Sequence, residues 1–276
     1  MNVSKAAFAF ILAAALALTA CSAAPEPASA PAPGTPAAQG SSVTTVPPET
    51  NGPEPPESPG PEPGELEAMR EAYGLALNRL YYEKIMPDGA SVGEDFDMGM
   101  DLFAVYDVDF DGRDELIIQH NNAPMAGKRE TVYAYDSESG LLVEEFSQFP
   151  ALVWYDNGVV MALFSHNQGM AGRFWPYFLY VYDSGRDRYD CVGMVDAWDS
   201  SIFDTDYDGD PFPSEIDVSG EGIVYYIMEP DEYSLDRPVD KSEYKLWLDG
   251  YIADAAPFDL PFVPLEPANL LPLKEK

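Results

Sequence analysis

Short runs of β-forming residues, separated by turn residues, fill the middle of the chain and constrain its fold more than any other feature. Each run is five to eight residues long and rich in β-branched or aromatic side chains, which is typical of strands. Asp156-Asn157-Gly158 separates two of the runs and is typical of a tight β-hairpin. The runs predict nine strands, at residues 102–107, 115–120, 131–136, 141–147, 151–155, 158–165, 177–183, 188–195 and 222–228.

Two helical patterns enclose this region. One covers residues 65–84, and the other covers residues 241–252 after Asp240 and Glu243, which have the spacing of a capping box. The apolar residues at helical spacing are Leu66, Met69, Tyr73, Leu77 and Leu80 in the first, and Tyr244, Trp247, Leu248 and Tyr251 in the second. The sequence therefore predicts a mainly β fold of the α+β class, with one N-terminal and one C-terminal helix.

The strand region contains an internal repeat. His120-Asn121 recurs as His166-Asn167 after 46 residues, and the segment Tyr133 to Ser137 recurs as Tyr180 to Ser184 after 47 residues. A unit of four strands with its turns has about this length. Because two copies cannot close a propeller, we expect an antiparallel meander, an open blade-like sheet or a sandwich of such sheets.

Residues 1–20 have the pattern of an export signal. Lys5 precedes an apolar run from Ala6 to Leu18, which as a helix would rise about 20 Å, too short for a bilayer core of about 30 Å. Leu18-Thr19-Ala20-Cys21 resembles the bacterial lipobox. The resemblance implies cleavage before Cys21, fatty acyl chains such as palmitate on that residue, and anchoring at the extracytoplasmic face of a bacterial membrane. The alternative is an ordinary signal peptide with an incidental cysteine.

Residues 21–63 have the composition of a disordered stalk. They contain 13 of the 26 prolines and no lysine, arginine or aromatic residue. Such a segment cannot bury enough apolar surface to offset the entropy of ordering. We therefore expect a lipidated Cys21, a Pro-rich stalk to residue 63 and one β-rich extracytoplasmic domain over residues 64–276.

The charge of the exported chain excludes one class of partner. Without residues 1–20 it carries 14 basic and 48 acidic side chains, and this balance repels nucleic acid and attracts cations. Once Cys21 is lipidated, Cys191 is the remaining cysteine, so no intramolecular disulfide can form.

An acidic loop between the first two predicted strands is the strongest candidate for a metal site. It turns on Gly112, and Asp107, Asp109, Asp111 and Glu115 occupy its positions 1, 3, 5 and 9. Hard cations such as calcium take six to eight oxygens, which these carboxylates and the Arg113 carbonyl would supply. In the second copy of the repeat the corresponding turn lacks these acids. The turn therefore does not require them. The alternative is a solvated acidic turn.

A second acidic segment, residues 204–215, has EF-hand spacing from Asp204 to Glu215. Pro211 and Pro213 interrupt it where an EF-hand needs backbone donors, and no helical pattern flanks it. These features favour a flexible acidic loop over a metal site.

The repeated histidine loops are candidates for a ligand-recognition surface. His120, Asn121, His166 and Asn167 stand at equivalent positions of the repeat, and Arg173 and Trp175 follow the second pair. These residue types are common where polar ligands or glycans bind. The alternative is loop geometry inherited with the repeat.

No catalytic motif stands out. The sequence has no Gly-x-Ser-x-Gly, His-Glu-x-x-His or phosphate-binding loop, and the abundance of acids makes carboxylate pairs uninformative. The chain is therefore more consistent with a binding module than with an enzyme, and an extracellular hydrolase acting on glycans remains an alternative.

Several motifs together carry a resemblance to known proteins. The lipobox, the stalk, the segment Tyr106 to Leu116 and the closing segment Glu243 to Leu265 resemble functionally undefined lipoproteins of Gram-positive, clostridial-type bacteria. The acidic loop resembles the calcium loops of FG-GAP or VCBS-type β repeats, although the second copy lacks the acids. The resemblance implies a lipid-anchored, β-rich module with a structural calcium loop. The module would bind an extracellular ligand or protein. A metal-free structural or envelope lipoprotein is the alternative.

Overall fold

A computed structural model describes residues 62–93, 97–167 and 169–270. The predicted signal peptide and nearly all of the predicted stalk lie outside these residues. The helices are α1 (Pro63–Glu83), α2 (Lys241–Ile252) and α3 (Pro267–Leu270). The strands are β1 (Leu102–Tyr106), β2 (Glu115–His120), β3 (Arg129–Asp136), β4 (Leu141–Gln148), β5 (Leu152–Tyr155), β6 (Val159–Leu163), β7 (Tyr177–Asp183), β8 (Arg188–Asp199), β9 (Ile223–Met228), β10 (Pro238–Val239), β11 (Pro257–Phe258) and β12 (Val263–Pro264).

The strands form two antiparallel sheets. The first has the order β12-β1-β2-β3-β4, and the second has the order β10-β9-β8-β7-β6-β5-β11. The prediction of a mainly β fold with an N-terminal and a C-terminal helix is confirmed, and all nine predicted strands are present. The strands β10, β11 and β12 were not predicted because each has only two residues and shows no periodicity.

The predicted end of β8 at residue 195 is wrong, since the strand continues to Asp199. Asp196 and Asp199 are typical of turns in sequence, but both are buried here. Asp199 accepts hydrogen bonds from the backbone N and hydroxyl of Ser201, and Asp196 accepts one from the Tyr233 hydroxyl. These bonds offset the cost of burying the two carboxylates.

The sequence repeat corresponds to two four-stranded meanders, β1–β4 and β5–β8. Each contains a β-bulge at the same place: the β3–β4 register shifts between Val132 and Tyr133, and the β7–β8 register shifts between Leu179 and Tyr180. The extra residue is Glu145 in the first meander, because Tyr133 pairs with Glu144 and Val132 with Phe146. A bulge of this kind redirects a side chain relative to the regular alternation of a strand.

The elements stack in four layers. Tyr73, Leu77 and Leu80 of α1 pack on one face of the first sheet, against Leu116 and Ile118. The opposite face of that sheet packs on the second sheet, and α2 covers the far face of the second sheet. The contacts between the sheets include Ile117, Val132, Phe146, Trp154, Val160 and Tyr189. The contacts of α2 include Tyr244, Trp247 and Leu248 against Leu179 and Val195. Among the described residues no helix is long and apolar enough to cross a bilayer.

Candidate metal centre

The acidic loop joins β1 to β2 at one end of the first meander. Tyr106 pairs with Glu115, so residues 107–114 form the connection between the strands. The backbone is left-handed at Phe110, with φ 65°, and at Gly112, with φ 93°. Glycine suits the second position, and at the first the Phe110 ring contacts Phe258 with centroids 5.8 Å apart. The loop is therefore folded back on itself and is fixed to the body of the domain.

This folded loop brings the predicted carboxylates together. One oxygen each of Asp107, Asp109 and Glu115 lie within 4.8 Å of one another. The same holds for Asp109, Asp111 and Asp187, the last of which lies in the β7–β8 hairpin of the other meander. Neighbouring backbone amides hold the carboxylates in place: Val108 N donates to Glu115 Oε2 at 2.8 Å, Asp111 N to Asp109 Oδ1 at 3.0 Å, Gly112 N to Asp107 Oδ2 at 3.2 Å, and Arg113 N to Asp111 Oδ1 at 2.7 Å.

Two of these carboxylates are almost completely buried, whereas Asp107 and Asp111 are partly buried and Asp187 is exposed. Asp109 is 7% exposed and Glu115 is 3% exposed. Two further oxygens, Asp107 Oδ1 and Glu145 Oε2, are enclosed without a hydrogen-bond partner. A buried polar atom without a partner costs roughly 1–3 kcal/mol, and more when it is charged. Enclosed carboxylate oxygens without a partner fit a hard cation, because such a cation binds carboxylates through their oxygens.

The pKa values of the clustered carboxyl groups are also consistent with a bound cation. Burial, reinforced by neighbouring carboxylates, raises the pKa of Asp109 to about 7 and that of Glu115 to about 10. Burial also raises the pKa of Glu145 to about 9, and the charge of Asp187 adds to this effect. The groups therefore need either protons or a cation at neutral pH.

The cation that these residues could hold is of the calcium class. The converging donors are all carboxylate oxygens, with no histidine or cysteine among them. Such a set suits calcium, magnesium or manganese rather than zinc or copper. The Arg113 guanidinium lies 3.2 Å from Glu65 on α1, so it is shared with an acid outside the cluster.

Helix α1 forms one wall beside the loop. The Tyr73 hydroxyl donates to the Asp114 carbonyl at 2.7 Å. A cavity of about 20 Å³ lies between α1, the loop and β4, lined by residues that include Met69, Glu145 and Asp187. A space of this size holds about one water or one ion.

Sequence reasoning missed Glu145 and Asp187. Glu145 belongs to a predicted strand and Asp187 to the turn between two predicted strands, and neither stands in a metal-ligand spacing. Comparison of the two repeat copies could have found both. At the offset of 47 residues Glu145 corresponds to Val192 and Asp187 to Gly140, so each acid is present in one copy only.

The second acidic segment has a different structure. In residues 204–215 the Asp206 Oδ1 atom accepts from Asp208 N at 2.9 Å and from Asp210 N at 2.8 Å, which closes a tight turn around Gly209. Asp204, Asp208 and Asp210 are exposed. Within the described ranges, both groups of convergent carboxylates involve loop 107–115, and neither includes a residue of 204–215.

The first histidine loop is part of the packed domain. His120 Nδ1 lies 2.7 Å from Asp101 Oδ2, and both side chains are buried. Asn121 N donates to Asp101 Oδ1 at 2.8 Å, and Asn121 Nδ2 donates to Gln119 Oε1 at 2.8 Å. These contacts hold the turn after β2 in place.

The second histidine loop is more open. His166 is exposed, and Trp175 is 46% exposed with its Nε1 donating to the Phe164 carbonyl at 2.7 Å. Asn167 Nδ2 donates to the carbonyls of Gly172 and Phe174. The Arg173 guanidinium contacts Asp199 at 3.4 Å and the Glu221 carbonyl at 2.9 Å. The predicted ligand-recognition surface stays a prediction. Its exposed residues lie in this second loop.

No protein family, curated protein or solved structure matches this chain. The function is therefore argued from the residues and the geometry described above.

Proposed function

We propose that this protein is a lipid-anchored extracytoplasmic module whose β sandwich is stabilised by calcium at loop 107–115. Its role is to present a binding surface for an extracellular ligand or protein. One observation carries the proposal: Asp107, Asp109 and Glu115 converge, although the last two are almost completely buried. Carboxylates in that arrangement repel one another unless a cation or protons neutralise them.

The donor set favours a structural role for the cation. Asp109 and Glu115 are enclosed by the protein, and Asp107 Oδ1 has no access to solvent. A catalytic metal keeps an open position for substrate, whereas a structural one is closed by protein ligands. The bound cation would neutralise the buried charges and thereby stabilise the fold.

Calorimetric titration of calcium into the purified protein, stripped of metal with EDTA, tests this proposal. We expect saturable binding, together with a rise of the melting temperature in calcium. Glu115→Gln should weaken binding, whereas Glu83→Gln, an exposed acid at the C-terminal end of α1, should not. Absence of both heat and a melting shift at millimolar calcium would reject the calcium site.

The tether is tested separately. Cys21→Ala should move the protein from the membrane fraction to the soluble exported fraction in the producing bacterium. Mass spectrometry of the wild-type N-terminal peptide should show acyl chains on Cys21. An unmodified Cys21 in membrane-free protein would contradict the anchor.

The binding surface is proposed at the second histidine loop, where His166, Arg173 and Trp175 reach the surface. Screening the protein against glycans and peptides tests it. Trp175→Ala should lower any affinity found, while Tyr82→Ala, an exposed aromatic on α1, should not. Equal affinities for both variants would place recognition elsewhere, and turnover of a glycan would favour the hydrolase alternative.

A further inference from the structure

Asp196 is a buried carboxylate outside both the calcium loop and the recognition surface proposed above. It lies on β8 between Met194 and Trp198, which pack in an apolar cluster on the same face of the second sheet. Asp196 is 6% exposed. Its Oδ1 accepts from the backbone N of Ala197 at 2.7 Å, and its Oδ2 accepts from the Tyr233 hydroxyl at 3.1 Å. Both donors are neutral, so the carboxylate gains hydrogen bonds but no positive partner.

The charge of Asp196 has no counterion in the described part of the chain. Within residues 62–93, 97–167 and 169–270, no lysine, arginine or histidine forms an ion pair with it. Burial raises the pKa of Asp196 above its ordinary value. The other charge close to its cross-strand neighbour Tyr226 is that of Asp206, which is also negative. A positively charged ligand at this point would therefore stabilise the buried carboxylate.

Tyr207 brings a further oxygen to the same place. It belongs to the acidic segment 204–215, where hydrogen bonds to Asp206 Oδ1 close a tight turn. Tyr207 lies near Tyr233, since the two hydroxyl groups interact electrostatically. Tyr207 is 72% exposed and Tyr233 is 60% exposed. Both tyrosines therefore border solvent beside the buried carboxylate.

Gly169 leaves the space between these oxygens open. A Cβ atom at this position would lie 3.8 Å from Asp196 Oδ2 and 4.0 Å from the Tyr207 hydroxyl oxygen. One point beside Gly169 is thus close to both oxygens, and the Tyr233 hydroxyl lies 3.1 Å from the first. A primary ammonium group carries three N–H donors on one nitrogen, and it bonds oxygen at about 2.7–2.9 Å. The carboxylate and the two hydroxyls match these donors in number, and the carboxylate matches the charge.

We propose that Asp196, Tyr207 and Tyr233 bind the primary ammonium group of an extracellular ligand, either a free alkylamine or a lysine side chain. Charge complementarity favours this ligand over a neutral sugar, because a buried carboxylate without a counterion attracts a cation. Gly169 belongs to the second histidine loop, so the site adjoins the recognition surface proposed there. It uses none of the residues of that surface and therefore goes beyond the proposed function. The segment 204–215 acquires a role in it, which is to position Tyr207.

Titration of the full protein with n-butylammonium chloride, followed by NMR of the backbone amides, tests the proposal. We expect saturable shifts at residues 169, 196, 197, 207 and 233. The neutral analogue n-butanol should cause none. Tetramethylammonium has the charge but no N–H donors, and it should bind about tenfold more weakly or less.

A blocked tripeptide with a central lysine separates the two sources of the ammonium group. Tighter binding than n-butylammonium would assign the lysine side chain of a protein. Equal or weaker binding would assign a free amine.

Two variants remove the site in different ways. Asp196→Asn removes the charge but keeps an oxygen that can accept from the Tyr233 hydroxyl, and it should lower the affinity about tenfold or more. Gly169→Leu fills the space beside Asp196 and should abolish binding. The backbone at Gly169 lies outside the left-handed region, so leucine adds no backbone strain. The matched control Glu232→Gln, an exposed acid next to Tyr233, should keep the wild-type affinity.

The amide spectra also show whether each variant is folded. Gly169→Leu retains Asp196 and its hydrogen bonds, so it tests the site even if Asp196→Asn unfolds. Equal shifts with n-butanol, absence of saturable shifts with n-butylammonium, or wild-type affinity in either folded variant would each overturn the ammonium site. None of these results bears on calcium binding at 107–115.

Discussion

The loops at 107–115 and 204–215 share the pattern Asp-x-Asp-x-Asp-Gly but differ in everything around it. In the first, Glu115 begins a buried strand and the carboxylates converge under the cover of α1 and the β7–β8 hairpin. In the second, Asp206 is used to close its own turn and the neighbouring acids point to solvent. The same sequence pattern therefore produces a cluster of enclosed carboxylates in one place and a solvent-exposed turn in the other.

The comparison indicates that burial of its carboxylates determines whether an acidic loop needs a bound cation. An exposed carboxylate is satisfied by water, so it needs no ion. A buried carboxylate loses that water, and the loss raises its pKa until a proton or a cation compensates for it. The following predictions separate the two loops on this basis.

Removal of the cation should have the largest effect. A ligand at 100 times its Kd stabilises a fold by about 2.7 kcal/mol. For a domain of this size that corresponds to a rise in melting temperature of roughly 5–10 °C. Differential scanning calorimetry in millimolar calcium and in EDTA measures the shift. Equal melting temperatures would mean that the first loop behaves like the second.

Glu115→Gln should lower calcium affinity by about tenfold or more, since it removes one of the carboxylates proposed to bind the ion. The glutamine oxygen can still accept the bond from Val108 N. In EDTA at neutral pH this variant should be at least as stable as the wild type, because the wild-type glutamate, whose pKa burial raises to about 10, must take up a proton on folding and the glutamine need not. If its calcium affinity matched that of Glu83→Gln, Glu115 would not be a ligand.

The pH dependence of stability should come from the carboxylate cluster at the first loop, to which Glu145 of β4 also belongs. The folded-state pKa values of Glu115, about 10, and Glu145, about 9, lie above the ordinary value of 4.5. The folded protein therefore binds more protons than the unfolded chain above pH 4.5, and its stability in EDTA should fall as pH rises from there towards 9. Calcium should reduce this fall. Melting curves across that range in EDTA and in calcium check the sign, and a rise with pH in EDTA would contradict it.

Changes in the second loop should have the smallest effect. Substituting asparagine for Asp204, Asp206 and Asp208 together keeps the side-chain oxygen of residue 206 that closes the turn. We expect a change in stability within about 1 kcal/mol and no change in calcium affinity or stoichiometry. Loss of a calcium equivalent in this variant would show that the second loop also binds metal.

Local patterns were enough to predict most of the fold. Apolar periodicity predicted α1 and α2, turn residues such as Asn157-Gly158 predicted the hairpins, and the repeat predicted meander units. The end of β8 was missed because the burial of Asp196 and Asp199 depends on partners that are distant in sequence, such as Tyr233.

The candidate site was predictable only in part. Asp107, Asp109 and Glu115 lie within nine residues of chain, so their spacing is visible in the sequence. Glu145 and Asp187 reach the cluster through a bulge and through the packing of two sheets, and neither is encoded by local spacing. Only the difference between the repeat copies carries a signal for them.

The most direct test of the account is a crystal structure grown with calcium, with the ion located by its anomalous scattering. The account predicts a peak with oxygens of Asp107, Asp109 and Glu115 at about 2.3–2.6 Å. A structure in which these side chains extend into water with no peak between them would contradict it.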